Sequence, residues 1–170
     1  FYDAQLQRGD YRPSNFDKSF SGQVTLKEAL SRSLNIPAIE TLELIGADGF
    51  ENNLRTFIAK DIGQTYEAGL TLAVGGFYLN AEDLIELYLE MADPGHNSKL
   101  KFKFEEIIST SSHLINSDTS EQILRLMSQR NNKGNIELFK TGTSHNQQDA
   151  WVINIFKDHI VLVWLGTPDN

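Results

Sequence analysis

Lys140-Thr141-Gly142-Thr143-Ser144 follows a β-like stretch, Ile136-Glu137-Leu138, and so gathers an ammonium, three hydroxyls and a glycine around one strand end. Upstream, Ser33-Leu34-Asn35 sets a hydroxyl and a carboxamide two residues apart. Acyl transfer through serine needs such groups beside its nucleophile: a base, donors for the oxyanion and a means to protonate the leaving amine. An ammonium at Lys140 could hold a substrate carboxylate and depress neighbouring pKa values. Thr143 could offer its hydroxyl to that carboxylate and its amide to the oxyanion. Ser33 could relay a proton, and Asn35 could position the substrate amide.

Lys-Thr-Gly and Ser-x-Asn accompany a third motif, Ser-x-x-Lys, in enzymes with an active-site serine. That motif carries the nucleophile and should precede both. Nothing between Phe1 and Arg32 fits it, so the chain reads as the later two-thirds of a catalytic domain, without its nucleophile. Ser98-Lys99-Leu100-Lys101 satisfies the pattern formally, but it follows Ser-x-Asn and runs from a polar loop into a strand rather than opening a helix. It is read as a decoy. Spacing alone also leaves open a plainer account, in which Ser33 and Asn35 form a helix–helix turn and Lys140–Ser144 a strand end with a glycine turn.

Other constellations are weaker. His96, His113, His145 and His159 are scattered without metal-ligand spacing, so no metal is expected. Glu82, Asp83, Glu86 and Glu90 read as the wet face of a helix, and Glu105-Glu106 lacks the partner that paired-carboxylate catalysis needs. A net charge of -8 argues against nucleic acid, which requires a cationic footprint. The absence of cysteine excludes a disulfide scaffold and a thiolate metal site. No apolar run approaches the ~20 residues that span a bilayer, and no signal peptide is present. At 170 residues and 40% hydrophobic composition, the chain is about one domain with a real core.

The elements that must position these groups can be read in order. Residues 1–22 form an irregular opening segment. Thr25-Leu26-Lys27-Glu28 is a capping box that starts a helix running to about Ser31. Asn35-Ile36-Pro37 breaks that helix, and Pro37 suits the first position of the next, which ends at Gly46. Asp48 is a candidate cap for a third helix burying Phe50, Leu54, Phe57 and Ile58, with Gly63 as its end. Leu70–Gly76 is an apolar run closed by a Gly75-Gly76 turn. Asn80 caps a helix over Ala81–Ala92, with Leu84, Ile85, Leu87, Tyr88 and Met91 on its apolar side and Asp93-Pro94-Gly95 as its stop.

Leu100, Phe102 and Phe104 alternate as in a half-buried strand. A helix is expected from Asp118 or Thr119 to about Gln129, burying Ile123, Leu124 and Met127. Three strands follow, near Ile136–Thr141, Ala150–Phe156 and Ile160–Leu165, the last two linked by Lys157-Asp158-His159. The result is an α+β layout, an antiparallel sheet packed with helices. If missing N-terminal parts complete the sheet, the chain by itself should expose apolar surface.

Tyr11-Arg12-Pro13-Ser14-Asn15-Phe16-Asp17, Phe20-Ser21-Gly22-Gln23-Val24, Ser31 to Ala38, Lys140 to Ser144 and Asp149-Ala150-Trp151, taken in this order, resemble the transpeptidase domain of bifunctional class A penicillin-binding proteins, with the match closest to the 1C subtype. Leu70–Gly76 with the Asn80-capped helix, and Val163-Trp164-Leu165-Gly166 with Asp169-Asn170, fit the same family, so the resemblance covers nearly the whole chain. It implies a β-lactamase-like fold with its N-terminal part elsewhere, and a parent that cross-links peptidoglycan outside the bacterial cytoplasmic membrane through serine, releasing D-Ala from D-Ala-D-Ala stem peptides. It also implies acylation by β-lactams and no cofactor. By the resemblance Ser33, Asn35 and Lys140 are catalytic, and Thr141, Gly142, Thr143 and Ser144 bind substrate. The implied partners are stem peptides, β-lactams and the remaining N-terminal part of the same protein, with the parent membrane-anchored and this piece soluble. A β-lactamase or D,D-carboxypeptidase, which passes the acyl group to water, and a nonenzymatic peptide-binding module remain alternatives.

Overall fold

The computed structural model describes residues 1–58, 67–93, 114–130, 136–144, 148–156 and 159–166. They form two compact units, the first within 1–55 and 60–78, the second within 56–59 and 79–170. Gly63, the strand expected around Leu100–Phe104, the Ser98–Lys101 decoy, Glu105-Glu106, His96, His113, His145, Pro94-Gly95 and Asp169-Asn170 lie outside the described residues.

In the first unit, strands β1 (Tyr2–Asp3) and β2 (Gly22–Gln23) pair antiparallel within the opening segment, which is otherwise irregular. Helix α1 (Leu26–Ser31) begins where the capping box predicts: the Glu28 amide donates to Thr25 Oγ1, and the Thr25 amide donates back to Glu28 Oε2 at 2.8 Å. These bonds hold the Glu28 carboxyl below its ordinary range, so the cap is complete at neutral pH and weakens as pH falls through the depressed value. Thr25→Ala should lower stability by about 1 kcal/mol, read from the denaturant midpoint.

Helix α2 (Asn35–Ile45) starts two residues before the expected position and ends at the Gly46 cap. Pro37 is therefore the third helical residue, not the first; its missing N–H is still one that the first turn leaves unused. Ile36 and Ile39 meet Leu6, with Tyr11, Leu70 and Ala73 packed around them, while Val24, Ala29 and Leu34 form a second cluster.

Helix α3 (Ala47–Ile58) holds Asp48 inside its first turn rather than as its cap. Leu54, Phe57 and Ile58 are buried as expected, but Phe50 is 38% exposed. Glu51 takes the inward place instead. Its carboxylate accepts from Arg55 on one oxygen and from the Ala68 amide at 2.9 Å on the other, which is what permits its burial. The Leu70–Gly76 run is a 3₁₀ turn over Gly69–Val74, closed by left-handed Gly75.

In the second unit, Asn80 caps α4 (Ala81–Ala92) through the Asp83 amide, as predicted. The expected wet face is a correction. Only Glu82 is exposed; Asp83, Glu86 and Glu90 are buried, and the apolar residues opposite are half-buried. A helix enclosed on more than one side has no wet face. Glu90 accepts the Leu114 amide, Ser120 Oγ donates to the Met91 carbonyl, and burial pushes the Tyr88 hydroxyl up to about 12.

Helix α5 (Ser117–Met127) is capped by Asn116, one residue earlier than expected, and stops at Met127. The chain there turns into β3 (Ser128–Arg130), a strand that its polar sequence does not announce. With β4 (Ile136–Thr143), β5 (Asp149–Phe156) and β6 (His159–Gly166) it makes an antiparallel sheet in the order β3-β4-β5-β6, against which α4 and α5 pack. Phe156 pairs with His159, so the tight final hairpin is present, its residues 157–158 lying outside the description. The architecture is α+β, as expected. Leu138, Ile153 and Leu162 turn to the covered side, whereas Phe139, Val161, Val163 and Leu165 share the other face and are exposed.

Candidate functional site

Ser33 and Asn35 lie at the α1–α2 junction in the first unit. The Leu34 amide donates to the Ala29 carbonyl at 2.9 Å and the Ser33 amide to Leu30 at 3.2 Å. These two bonds, with Leu34 and Ala29 in one apolar cluster, make a Schellman turn. Its left-handed residue is Ser33, at φ +52°, a position usually given to glycine. Ser33 is thereby exposed while Leu34 is buried.

Asn35 opens α2. Its preceding cap residue, Leu34, has no side chain able to accept an amide, so the orphan N–H groups look elsewhere. The Asn35 amide donates to Asn15 Oδ1 at 2.9 Å, and the Asn35 side chain donates through Nδ2 to the Ser14 carbonyl at 2.8 Å. That leaves the carboxamide oxygen of Asn35 as an acceptor.

Lys140–Ser144 lie in the second unit, on the second half of β4 and just past it. Residues Lys140, Thr141, Gly142 and Thr143 pair with Ile153, Val152, Trp151 and Ala150 of β5. On the other side, β3 pairs only with Ile136–Leu138. Among the described residues, Phe139–Thr143 therefore have a strand partner on one side alone. This half-edge carries the predicted groups.

Lys140 is half-buried, and its Nζ donates to the Thr141 carbonyl at 2.8 Å. Burial pulls its pKa below the ordinary lysine value. Thr141, Gly142 and Thr143 are exposed. Gly142 has no left-handed φ, and a Cβ there would meet only Trp151 Cβ at 3.9 Å, an ordinary contact. Among the described residues nothing demands glycine at this position. Its bare backbone leaves room beside the strand.

The Ser144 hydroxyl accepts from the Asp149 amide at 2.8 Å while the Ser144 amide donates to the Asp149 carbonyl at 2.9 Å, which closes the β4–β5 turn. Trp164 Nε1 donates to Asp149 Oδ1 at 2.9 Å, and the Trp151 and Trp164 rings stack with centroids 5.7 Å apart. Asp149 thus ties the strand tip together. The order of motifs contained Asp149 and Asn15, but spacing gave no reason to treat either as part of a site; their roles come from bonds to residues distant in sequence.

No protein-family model matches the chain. Among curated proteins, penicillin-binding protein 1C of Escherichia coli is 31% identical over 99% of this chain and 23% of that protein. Penicillin-binding protein 1B of Haemophilus influenzae is 24% identical over 94% of this chain and 23% of that protein. The chain thus spans about a quarter of the length of these relatives. Among solved structures, penicillin-binding protein PonA1 from Mycobacterium tuberculosis superposes with a TM-score of 0.77 at 16% identity, covering 99% of this chain and 54% of that one. Penicillin-binding protein 1A from Haemophilus influenzae gives 0.72 at 15%, covering 98% and 34%.

Proposed function

We propose that this chain, a homologue of penicillin-binding proteins along nearly all its length and built on their fold, is the later part of a serine D,D-transpeptidase domain. In this reading the intact parent cross-links peptidoglycan stem peptides at the outer face of the bacterial cytoplasmic membrane. No described helix is long and apolar enough to cross a membrane.

The observation that carries the reading is the half-edge of β4, where Lys-Thr-Gly-Thr meets a strand paired on one side. An extended peptide can add to such an edge through its backbone, with side-chain groups selecting its end. There the Lys140 ammonium and the Thr143 hydroxyl receive the terminal carboxylate of D-Ala-D-Ala. Thr141 and Gly142 leave the approach unobstructed, and Ser144 fixes the turn beyond them. The Thr143 amide donates to the oxyanion in this reading.

The nucleophilic serine is supplied by the parent upstream. Its oxygen attacks the carbonyl of the penultimate D-Ala, and the bond to the terminal D-Ala breaks as that amine takes a proton. A neighbouring amine then displaces the serine. Ser33 relays the proton, and Asn35 accepts an N–H of the substrate through its carboxamide oxygen.

The 170-residue chain alone should take up no covalent fluorescent penicillin, whereas a version extended upstream to include the nucleophile should be labelled. A penicilloyl adduct found on the isolated chain by mass spectrometry would contradict the reading. So would an extended chain that stays unlabelled.

A further inference from the structure

We infer that Asn15 and Asp3 are positioning residues that set the orientation of Asn35, an inference that rests on the transpeptidase reading above. Asp3, at the end of the two-residue strand β1, is 0% exposed and Asn15, in irregular chain, 3%, although polar side chains ordinarily face water. Burying a carboxylate and a carboxamide is costly unless their bonding capacity is met. Here it is met in one chain of contacts. Asp3 accepts from Asn15 Nδ2 on one oxygen and from the Ser21 amide on the other, each at 2.8 Å. Asn15 Nδ2 also donates to the Ser19 carbonyl at 2.9 Å, which fixes the side chain's orientation and turns Oδ1 toward α2. That oxygen accepts the Asn35 amide at 2.9 Å and, more weakly, the Ile36 amide at 3.5 Å.

A helix start needs only a local acceptor, which serine, threonine or aspartate at the cap would provide. The cap position instead holds Leu34, committed to the apolar cluster, and the acceptor arrives from a residue 20 positions away. Ser14, the neighbour of Asn15, meanwhile receives the Asn35 side chain. Backbone and carboxamide of Asn35 are thus both registered against residues 14 and 15. Asp3 registers residue 15 in turn.

The test uses the parent enzyme with its nucleophile, fluorescent penicillin as the probe, and both the second-order acylation rate and the melting temperature as readouts. Asn15→Asp keeps the acceptor for Asn35 but turns a carboxylate oxygen toward Asp3 and the Ser19 carbonyl; acylation should fall about 10²-fold as Asn35 shifts. In an Asn35→Ala background the same change should slow acylation less than about threefold while lowering the melting temperature as much as before, because the group it positions is gone. The exchange Asp3→Asn/Asn15→Asp restores a donor facing an acceptor between residues 3 and 15 but leaves a carboxylate oxygen against the Ser19 carbonyl, so it should recover part of the melting temperature and part of the rate together. Equal losses from Asn15→Asp with and without Asn35 would overturn the inference. So would an exchange that raises the melting temperature above that of Asn15→Asp and recovers none of the lost acylation. If Asn35→Ala itself acylates normally, the site reading fails instead, and the two failures are told apart.

Discussion

Lys140→Ala in the upstream-extended enzyme should slow acylation by penicillin about 10²- to 10³-fold, the loss typical when one preorganised electrostatic group is removed from a site. The ammonium sits on the half-paired part of β4, partly out of water, with one N–H already given to the Thr141 carbonyl. Desolvation makes its attraction for a carboxylate larger than an exposed lysine could offer. The same desolvation opposes folding. Because burial lowers the Lys140 pKa in the folded chain, the unfolded chain holds the proton more tightly. Stability should therefore rise as pH climbs through the depressed value toward the ordinary 10.5. Lys140→Met, which keeps the apolar stem and discards the charge, should acylate as poorly as Lys140→Ala yet melt no lower than wild type. An unchanged acylation rate in either variant would overturn the role assigned to Lys140. A sharp fall in melting temperature would mean that the lysine serves the fold.

What the sequence announces and what it hides divide along physical lines. Local chemistry is legible: the Thr25–Glu28 box and the Asn80 cap depend on residues within one turn, and α1 and α4 begin where those residues say. Strands β4 to β6 are legible because β-branched and aromatic residues are concentrated in them between turn signals. Strand β3 is not, since Ser-Gln-Arg has no pattern of its own and is a strand because β4 offers it a partner. Helix α2 starts before Pro37 because its cap comes from Asn15, which no window around Pro37 contains. Periodicity finds α4 but misjudges its sides: Asp83, Glu86 and Glu90 look solvated in any helical projection, and only the surrounding chain makes them interior. The candidate residues were legible as types and order. Their supports, Asp3, Asn15 and Asp149, depend on long-range bonds and were not.

Ser33→Gly should make the protein more stable and the enzyme slower, and the opposition of those two effects identifies what Ser33 is for. As the left-handed residue of the Schellman turn, Ser33 carries a Cβ where glycine would carry none, at a cost of about 1 kcal/mol. The bonds that close the turn come from the Ser33 and Leu34 amides, which glycine at position 33 would keep. Glycine should therefore recover about that much stability, seen as a higher denaturant midpoint. Ser33→Ala keeps the strained Cβ and should stay near wild type. If the hydroxyl relays a proton during acylation, both substitutions remove the same chemistry, and both should slow penicillin acylation about 10²-fold in the upstream-extended enzyme. A purely structural serine predicts the reverse ranking, with glycine at least as active as wild type. A glycine variant that is both more stable and fully active would remove Ser33 from the mechanism and leave Asn35 alone at that junction, whereas stability gained with activity lost is the mark of a residue kept against the preference of its own turn.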